Sequence, residues 1–292
     1  MAAWTHAKDD ADSTSDETFA PVIGYSFRVF VDVDMDDARV VTKLWSDMVV
    51  KKRGGKAETK IYYDLSEMER DLKAKKVDLV ILISNEFVEL RSRAPLDPLM
   101  VSSRDNTLYE ELLLLVRKDS GIKTLQDLKN RVFILQKGQY AVVHITWIEM
   151  LLMREGIHDV RTFFASIKEA TRYSQALMPV FFRQADACIV TRHNFDVMSE
   201  LNPQLRAELM VLASSPSVVG GVIAVRKDYS ARHKETIRDL LESLHTDPQG
   251  KQLLTLFRMN KLVPYKPEYI TTMEALLREH SDLRTRIAMK RK

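Results

Sequence analysis

The hydrophobic positions of this chain form two kinds of run that alternate along most of its length. Short, near-continuous apolar stretches such as VDLVILIS (77–84) and ADACIVTR (185–192) have the length and β-branched content of strands buried on both faces. Between them lie longer stretches with apolar residues every three or four positions, the spacing of a helix laid on a sheet. VIGYSFRVFV (22–31) reads as a strand, DARVVTKLWSDMVVKK (37–52) as a helix through Val40, Leu44 and Met48, and AETKIYYDL (57–65) as a second strand. SEMERDLKAKK (66–76) predicts a charged helix capped by Ser66 with Glu69 at its third position, and VDLVILIS is the third strand. The proline-bearing RAPLDPLM (93–100) then reads as a loop, and TLYEELLLLVRKD (107–119) as one long strand crossing to a second unit.

In that second unit TLQDLKN (124–130) predicts a helix opened by a Thr124/Asp127 capping pair. RVFILQ, RTFFAS, ADACIV and LMVLAS predict strands, separated by the helix-like WIEMLLMREG and KEATRYSQALMPVFFR. VGGVIAVRKD (219–228) reads as the return strand, before helical segments near 230–245, 248–258 and 267–290. Alternating strands and helices predict an α/β protein, and two crossings predict two lobes joined by a hinge around a central ligand cleft. The expected division is a flexible leader at 1–21, a first lobe of 22–108 plus 225–292 with the C-terminal helices, and a second lobe of 109–224.

In an open α/β sheet, ligands sit beyond the carboxyl ends of the strands. The residues that close the two strongest strand runs therefore become candidates: Ser84, Asn85 and Glu86 on one side, Thr191 and Arg192 on the other. Asn85 and Glu86 either face the cleft, where they would orient a ligand or engage an amino group, or cap the FVELRS turn. Tyr25, Ser26 and Arg28 in GYSFRVFVDVD form a hydrogen-bonding and cationic set suited to a carboxylate, phosphate or phosphonate. Strand alternation offers the other reading, with Tyr25 in the core and Ser26 and Arg28 toward water. The acidic Asp32, Asp34, Asp36 and Asp37 lack the glycine and terminal glutamate of an EF-hand loop and read as helix-capping charge.

Composition narrows the classes. With 292 residues and 45% apolar content the chain buries a sizeable core. A net charge of +3 and no aromatic-interleaved basic patch argue against nucleic-acid binding, and the basic RTRIAMKRK (284–292) reads as a solvated helix end. No run of 18 apolar residues occurs, so no spanning helix is predicted. MAAWTHAKDDADSTSDETFAP reads as an acidic leader or as what remains after signal-peptide removal. The single Cys188 permits no internal disulfide and reads as a buried thiol. The seven histidines show no H-E-x-x-H spacing, and nucleophile-elbow, phosphate-loop and dinucleotide fingerprints are missing. No catalytic residue, metal or cofactor is therefore expected. Phe163, Phe164, Phe181, Phe182 and Trp147 read as core or cleft wall.

LLLLVRKDSGIKTLQDLKN, FILQKG, WIEMLLMREGI, PVFFRQADACIVTRHNFDVM, ELNPQL and LMVLASSP together resemble the phosphate/phosphite/phosphonate-type periplasmic substrate-binding proteins of ABC transporters, the phosphonate-binding branch of the type 2 periplasmic-binding fold. The resemblance covers roughly residues 22–264. It implies a monomeric receptor in the periplasm or on the extracellular side of the membrane. Such a receptor hands a small anionic solute to an ABC permease and performs no catalysis. The alternative is a ligand-sensing subunit regulating a membrane kinase or cyclase; a small-molecule transferase is a third class. Family members grip the oxyanion through a hydroxyl-rich turn at the first helix of the second lobe, and QKGQYAVVHITWIEM (136–150) lacks those hydroxyls. Gln139 and Tyr140 there suggest a larger or less charged solute, while Gly138 either lets the backbone approach an anion or merely permits a turn. The resemblance also places an acidic ligand contact in the segment holding ADACIV, which makes Asp186 a candidate.

Overall fold

A computed structural model describes residues 19–30, 35–51, 56–104, 107–136 and 141–290. The first unit opens with β1 (Val22–Ser26), α1 (Met35–Lys51), β2 (Glu58–Tyr62), α2 (Leu65–Lys73), β3 (Leu79–Ile83), α3 (Ser84–Arg91) and β4 (Leu96–Ser103). β1 pairs in parallel with β2 on one side and β3 on the other, as expected where each connection is a helix. The cap of α2 is Asp64, whose carboxylate accepts the Ser66 N–H at 2.9 Å, so the helix starts earlier than a Ser66 cap predicts.

RAPLDPLM is a correction to the loop expectation, because its second half is β4. Proline cannot donate to a sheet ladder and is tolerated at bulges. Pro98 sits where the register of β4 against its neighbour slips between Ile223 and Ala224.

The expected long strand at 107–119 is two: β5 (Tyr109–Glu110) and β6 (Leu112–Arg117). β7 (Val132–Gln136), α4 (Ala141–Arg154), α5 (Val160–Phe163), β8 (Ser166–Ala170), α6 (Tyr173–Phe181), β9 (Ala187–Thr191), α7 (Arg192–Leu201), α8 (Pro203–Glu208) and β10 (Leu209–Ser214) complete the second unit. Two assignments there are corrected. RTFFAS begins as the short helix α5 capped by Asp159, and the strand follows it as β8. TLQDLKN makes a single 3-10 turn, although Asp127 does accept both the Thr124 N–H (2.8 Å) and its hydroxyl (2.9 Å). The chain returns through β11 (Val218–Val219) into β12 (Gly221–Arg226), then α9 (Ala231–Ser243), α10 (Pro248–Leu256), β13 (Lys261–Pro264) and α11 (Thr271–Lys290).

These strands form a six-stranded sheet, β13-β4-β12-β3-β1-β2, and a five-stranded sheet, β10-β6-β9-β7-β8. β5 and β11 pair antiparallel as a short ribbon between them, Val218 opposite Glu110 and Val219 opposite Tyr109. The architecture is two-lobed α/β, each lobe a mixed sheet covered by helices. β12 belongs to the first sheet from Gly221 on, so the return crossing comes earlier than a boundary at 225.

One apolar cluster fills the face of the first sheet under α1, α9 and α10, with Trp45, Ile81, Ile223 and Leu241. A second fills the far face of the second sheet under α6 and α8, with Ile134, Leu177 and Leu205. The third is shared: Leu82 and Val222 from the first sheet, Leu114 and Ile189 from the second, Trp147 of α4 and Met273 of α11. α11 packs most heavily on α4 of the second lobe and also on α3 of the first, so the last helix straps both lobes instead of belonging to the first alone.

Candidate functional site

Both diagnostic strand runs are entered through an aspartate with the same local role. Asp78 donates its amide to the Val22 carbonyl and accepts the Val22 N–H on its carboxylate, both at 2.9 Å. Asp186 does the same to Val132, at 2.9 and 2.8 Å. A carboxylate that satisfies the first exposed N–H of a neighbouring parallel strand pins the sheet's entering edge. Asp186 therefore stands at the start of β9, with the whole strand between it and Thr191. Asp186, expected beside a ligand, is half-buried at the entering edge of the second sheet, at the opposite end of β9 from Thr191 and Arg192.

At the opposite, carboxyl edge of the first sheet, β1 and β3 deliver Ser26, Arg28, Asn85 and Glu86 to one place. Ser26 donates to Glu86 at 2.9 Å, and the Arg28 Nε lies 3.3 Å from the same oxygen. Glu86 sits in the first turn of α3, and its other oxygen accepts the Ile83 N–H at 3.4 Å. Burial pushes the Glu86 carboxyl above the usual carboxylate range, against the Ser26 hydrogen bond and the Arg28 charge. Asn85 is 6% exposed, and its Oδ1 has no donor among the described residues. Tyr25 is not part of this set. It is fully buried in the first-lobe core with its hydroxyl 2.9 Å from Ser46, which is the alternation reading of GYSFR.

Between this carboxyl edge and the second lobe lies a cavity of about 360 Å³. Gly220, Gly221, Ser102 and Ser103 wall it from the first sheet, Tyr109, Glu110 and Glu111 from the crossing ribbon, and Arg192, His193 and Asp196 from the first turns of α7. A side chain on Gly221 would meet the Ser102 Oγ at 3.1 Å, and that hydroxyl already accepts the Gly221 N–H at 3.0 Å. Arg104 and Arg258 also line it, joined by a 2.7 Å hydrogen bond from the Arg104 Nε to the Arg258 carbonyl. Arg258 has a φ of 53°, a left-handed conformation that a side-chain-bearing residue adopts at a cost, at the end of α10.

The two ribbon glutamates behave oppositely. Arg192 donates its Nε to Glu111, which holds that carboxyl below its ordinary range and raises the guanidinium. Glu110 is pushed up by burial, with the Arg104 guanidinium 4.0 Å away and the His193 N–H at 3.4 Å opposing the shift. Thr191 is buried and caps α7, accepting the Asn194 N–H at 3.2 Å. Of the residues expected at the cleft, Arg192 lines the cavity itself; Ser26, Arg28, Asn85, Glu86 and Thr191 stand at the neighbouring strand ends. Gln139 and Tyr140, with Gly138, lie outside the described residues. Sequence reasoning missed Arg104, Glu110, Glu111 and Arg258. The paired glutamates interrupting the apolar run TLYEELLLLV were the available signal.

Cys188 is fully buried and its thiol pushed up by that burial. His144 is fully buried and held down to about 4. Among the described residues no group of three His, Cys, Asp or Glu side chains could hold a metal, and no helix is long and apolar enough to cross a membrane. Phe163, Phe164 and Trp147 are core, whereas Phe182 is 59% exposed.

Comparison with known proteins agrees with this architecture. The family described as ABC transporter, phosphonate, periplasmic substrate-binding protein matches residues 34–269. Among solved structures, XAC2383 from Xanthomonas citri bound to ATP is 18% identical with a TM-score of 0.65, over 91% of this chain and 98% of that one. PhnD1 from Prochlorococcus marinus in complex with methylphosphonate is 15% identical with a TM-score of 0.62, over 89% and 97%. A binding-protein component of an ABC phosphonate transporter from Pseudomonas aeruginosa is 16% identical with a TM-score of 0.58, over 93% and 99%. A search of curated proteins gave no match. Identities this low carry the fold and not the ligand, but the family match spans most of both lobes. The two-lobed fold is that of the type 2 periplasmic-binding proteins, and the chain belongs to the phosphonate ABC-transporter periplasmic substrate-binding family.

Proposed function

We propose that this protein is the extracytoplasmic solute receptor of an ABC importer, and that it captures an organic anion of the phosphonate class between its lobes without altering it. The observation that carries this reading is the cavity at the crossing ribbon, which takes walls from the first sheet and from α7 of the second lobe and has Arg104, Arg192 and Arg258 around it. A guanidinium presents several N–H donors in a fixed plane and matches carboxylate or phosphonate oxygens. Residues on both lobes make the site complete in the closed arrangement, so ligand binding favours closure by whatever affinity the open form lacks. The closed pair of lobes then offers the surface that a permease reads.

Ser26, Arg28, Asn85, Glu86 and Thr191 form the proposed outer part of the same cleft. The unpartnered Oδ1 of Asn85 would accept from a ligand N–H or protonated oxygen. The proposed rigid bodies are the two sheets with their helices, rocking about β5 and β11.

Native mass spectrometry of the purified protein, paired with denaturing extraction, tests the reading. One acidic solute per chain, released unchanged on denaturation, is the expected result. A copurifying molecule with no acidic group, or conversion of an added phosphonate to product, would contradict it.

A further inference from the structure

Among the described residues three carboxylates line the cavity, and they are not equivalent. Glu111 takes the Arg192 Nε–H, and Asp196 takes a guanidinium N–H of Arg206 at 2.6 Å. Glu110 has no cation so close among the described residues. The Arg104 Nη1 lies 4.0 Å from one of its oxygens, and the His193 N–H reaches the other at 3.4 Å. A charge-assisted hydrogen bond is shorter than either contact. The Thr191 hydroxyl adds a third. Yet the Glu110 side chain is 12% exposed, against 22% for Glu111 and 40% for Asp196. The most buried of the three acids is the least neutralised.

Its position gives this a consequence for binding. Glu110 is the second residue of β5, in the ribbon between the lobes, and faces Arg104 beyond the end of β4 and His193 in the first turn of α7. The Arg104 Nε is engaged by the Arg258 carbonyl, so the terminal nitrogens of that guanidinium remain for a solute anion. An anion bound there shares the guanidinium with Glu110. Two negative charges on one partly buried cation repel at short range, and one of them takes up a proton, as in paired carboxylates. Burial already favours the neutral form of Glu110.

The geometry points to Glu110 as the residue that sets the charge class of the solute: an anion enters beside Arg104 with one proton held between it and Glu110, so the cavity retains a singly charged acid in preference to a dianion. The inference rests on the receptor reading and deepens it, because it assigns the site a charge state as well as a sign.

Two probes test it: methanesulfonate, which keeps one negative charge, and methylphosphonate, which gains a second. Each is titrated calorimetrically from acid to alkaline pH into the parent protein, Glu110→Gln, Asp196→Asn and His193→Gln. Glutamine has the shape of a protonated glutamate. Glu110→Gln should therefore match the parent at acid pH and bind both probes progressively tighter than the parent as pH rises, the gap widening by up to about tenfold per pH unit, the limit for one linked proton. Taking the ratio of the two proteins cancels the ionisation of the probe itself. Asp196→Asn removes a paired, more exposed charge and should differ from the parent by a small factor that is constant with pH, and His193→Gln should keep the parent's dependence. Weaker binding to Glu110→Gln at every pH shows an ionised Glu110 accepting from a ligand donor and overturns the inference. A ratio constant with pH, or a dependence that vanishes in His193→Gln, overturns it as well; all three results leave the receptor standing. Should Glu110→Gln fail to fold, methanesulfonate decides: affinity falling with rising pH in both the parent and His193→Gln supports the inference, and a flat profile in the parent overturns it. Saturable binding of neither probe to any of these proteins counts against both readings.

Discussion

Removing the two strand-entry aspartates one at a time separates a structural from a ligand-binding role. Asp78→Ala takes the acceptor from the Val22 N–H and one of two carboxylates from Arg226, which keeps Asp228 at 2.7 Å. Asp78 and Arg226 are 14% and 12% exposed, so water replaces neither contact well. An amide left short of its partner costs about 1–3 kcal/mol, and the weakened, partly buried ion pair adds roughly another 1 kcal/mol, for a total of about 2–4 kcal/mol. Asp186 is 30% exposed, and its guanidinium partner Arg131 lies 3.6 Å away at 47% exposure. Its ion pair contributes little, and Asp186→Ala should cost about 1–2 kcal/mol.

The two transitions can be read apart. Trp45 lies in the first-lobe core and Trp147 in the core shared with the second lobe, so in a Trp4→Phe background urea denaturation followed by fluorescence of each remaining single-tryptophan variant reports the first lobe through Trp45 and the shared core under α4 through Trp147. Asp78→Ala should shift the Trp45 transition and Asp186→Ala the Trp147 transition, while a copurified or added solute stays bound to Asp186→Ala with unchanged affinity. An unshifted Trp147 transition together with lost solute binding would refute the edge-pinning argument and return Asp186 to the cleft.

Other consequences follow from single contacts. Burial raises the Glu86 carboxyl, so the folded state holds that proton to higher pH than the unfolded chain does, and stability falls as pH rises from the ordinary glutamate range through the elevated folded value. Glu86→Gln should therefore gain on the parent protein as pH rises through this window; denaturation midpoints that keep a constant difference from acid to neutral pH would contradict this. Gly250→Ala places a Cβ against the Leu244 carbonyl oxygen and 2.9 Å from its carbon, backbone that cannot turn away, and should cost about 1–3 kcal/mol or more by chemical denaturation. Arg154 holds Glu279 of α11 through two 2.7 Å hydrogen bonds, both side chains being more than two-fifths exposed, so Arg154→Ala should cost no more than about 1 kcal/mol in dilute buffer and less at high salt. Its larger effect should be faster amide exchange in α11, where the strap meets α4; exchange unchanged along Thr271–Lys290 would show that apolar packing alone holds it.

Much of the fold was legible because the strongest sequence signals are the most buried elements. β3, β6 and β9 are fully buried runs, and their patterns admit nothing but central strands of the two lobes. The misread elements are those where local chemistry and tertiary position disagree. β4 carries Pro98 inside a strand, which a bulge against β12 accommodates and a sequence window cannot foresee. β8 is a mostly exposed strand at the end of the sheet, so its polar SIKEA shows no alternation to read. RTFFAS is apolar because Phe163 and Phe164 enter the shared core from a helical turn, not because it pairs with a neighbour.

The candidate site was legible in part for a similar reason. Residues at strand ends are deducible from the strand pattern, and this brought Ser26, Glu86 and Arg192 to the strand ends near the cavity. Arg104 and Arg258 are joined across a sequence separation that the pairing of β4 with β13 closes.

Calorimetric titration of methylphosphonate and phenylphosphonate, with phosphorus NMR of the same samples, tests the central claim most directly. A solute receptor gives one saturable site per chain for at least one of the two, weakened by Arg192→Ala, with the phosphonate recovered unchanged. Absence of saturable binding by either compound, or appearance of a new phosphorus species, would contradict the account.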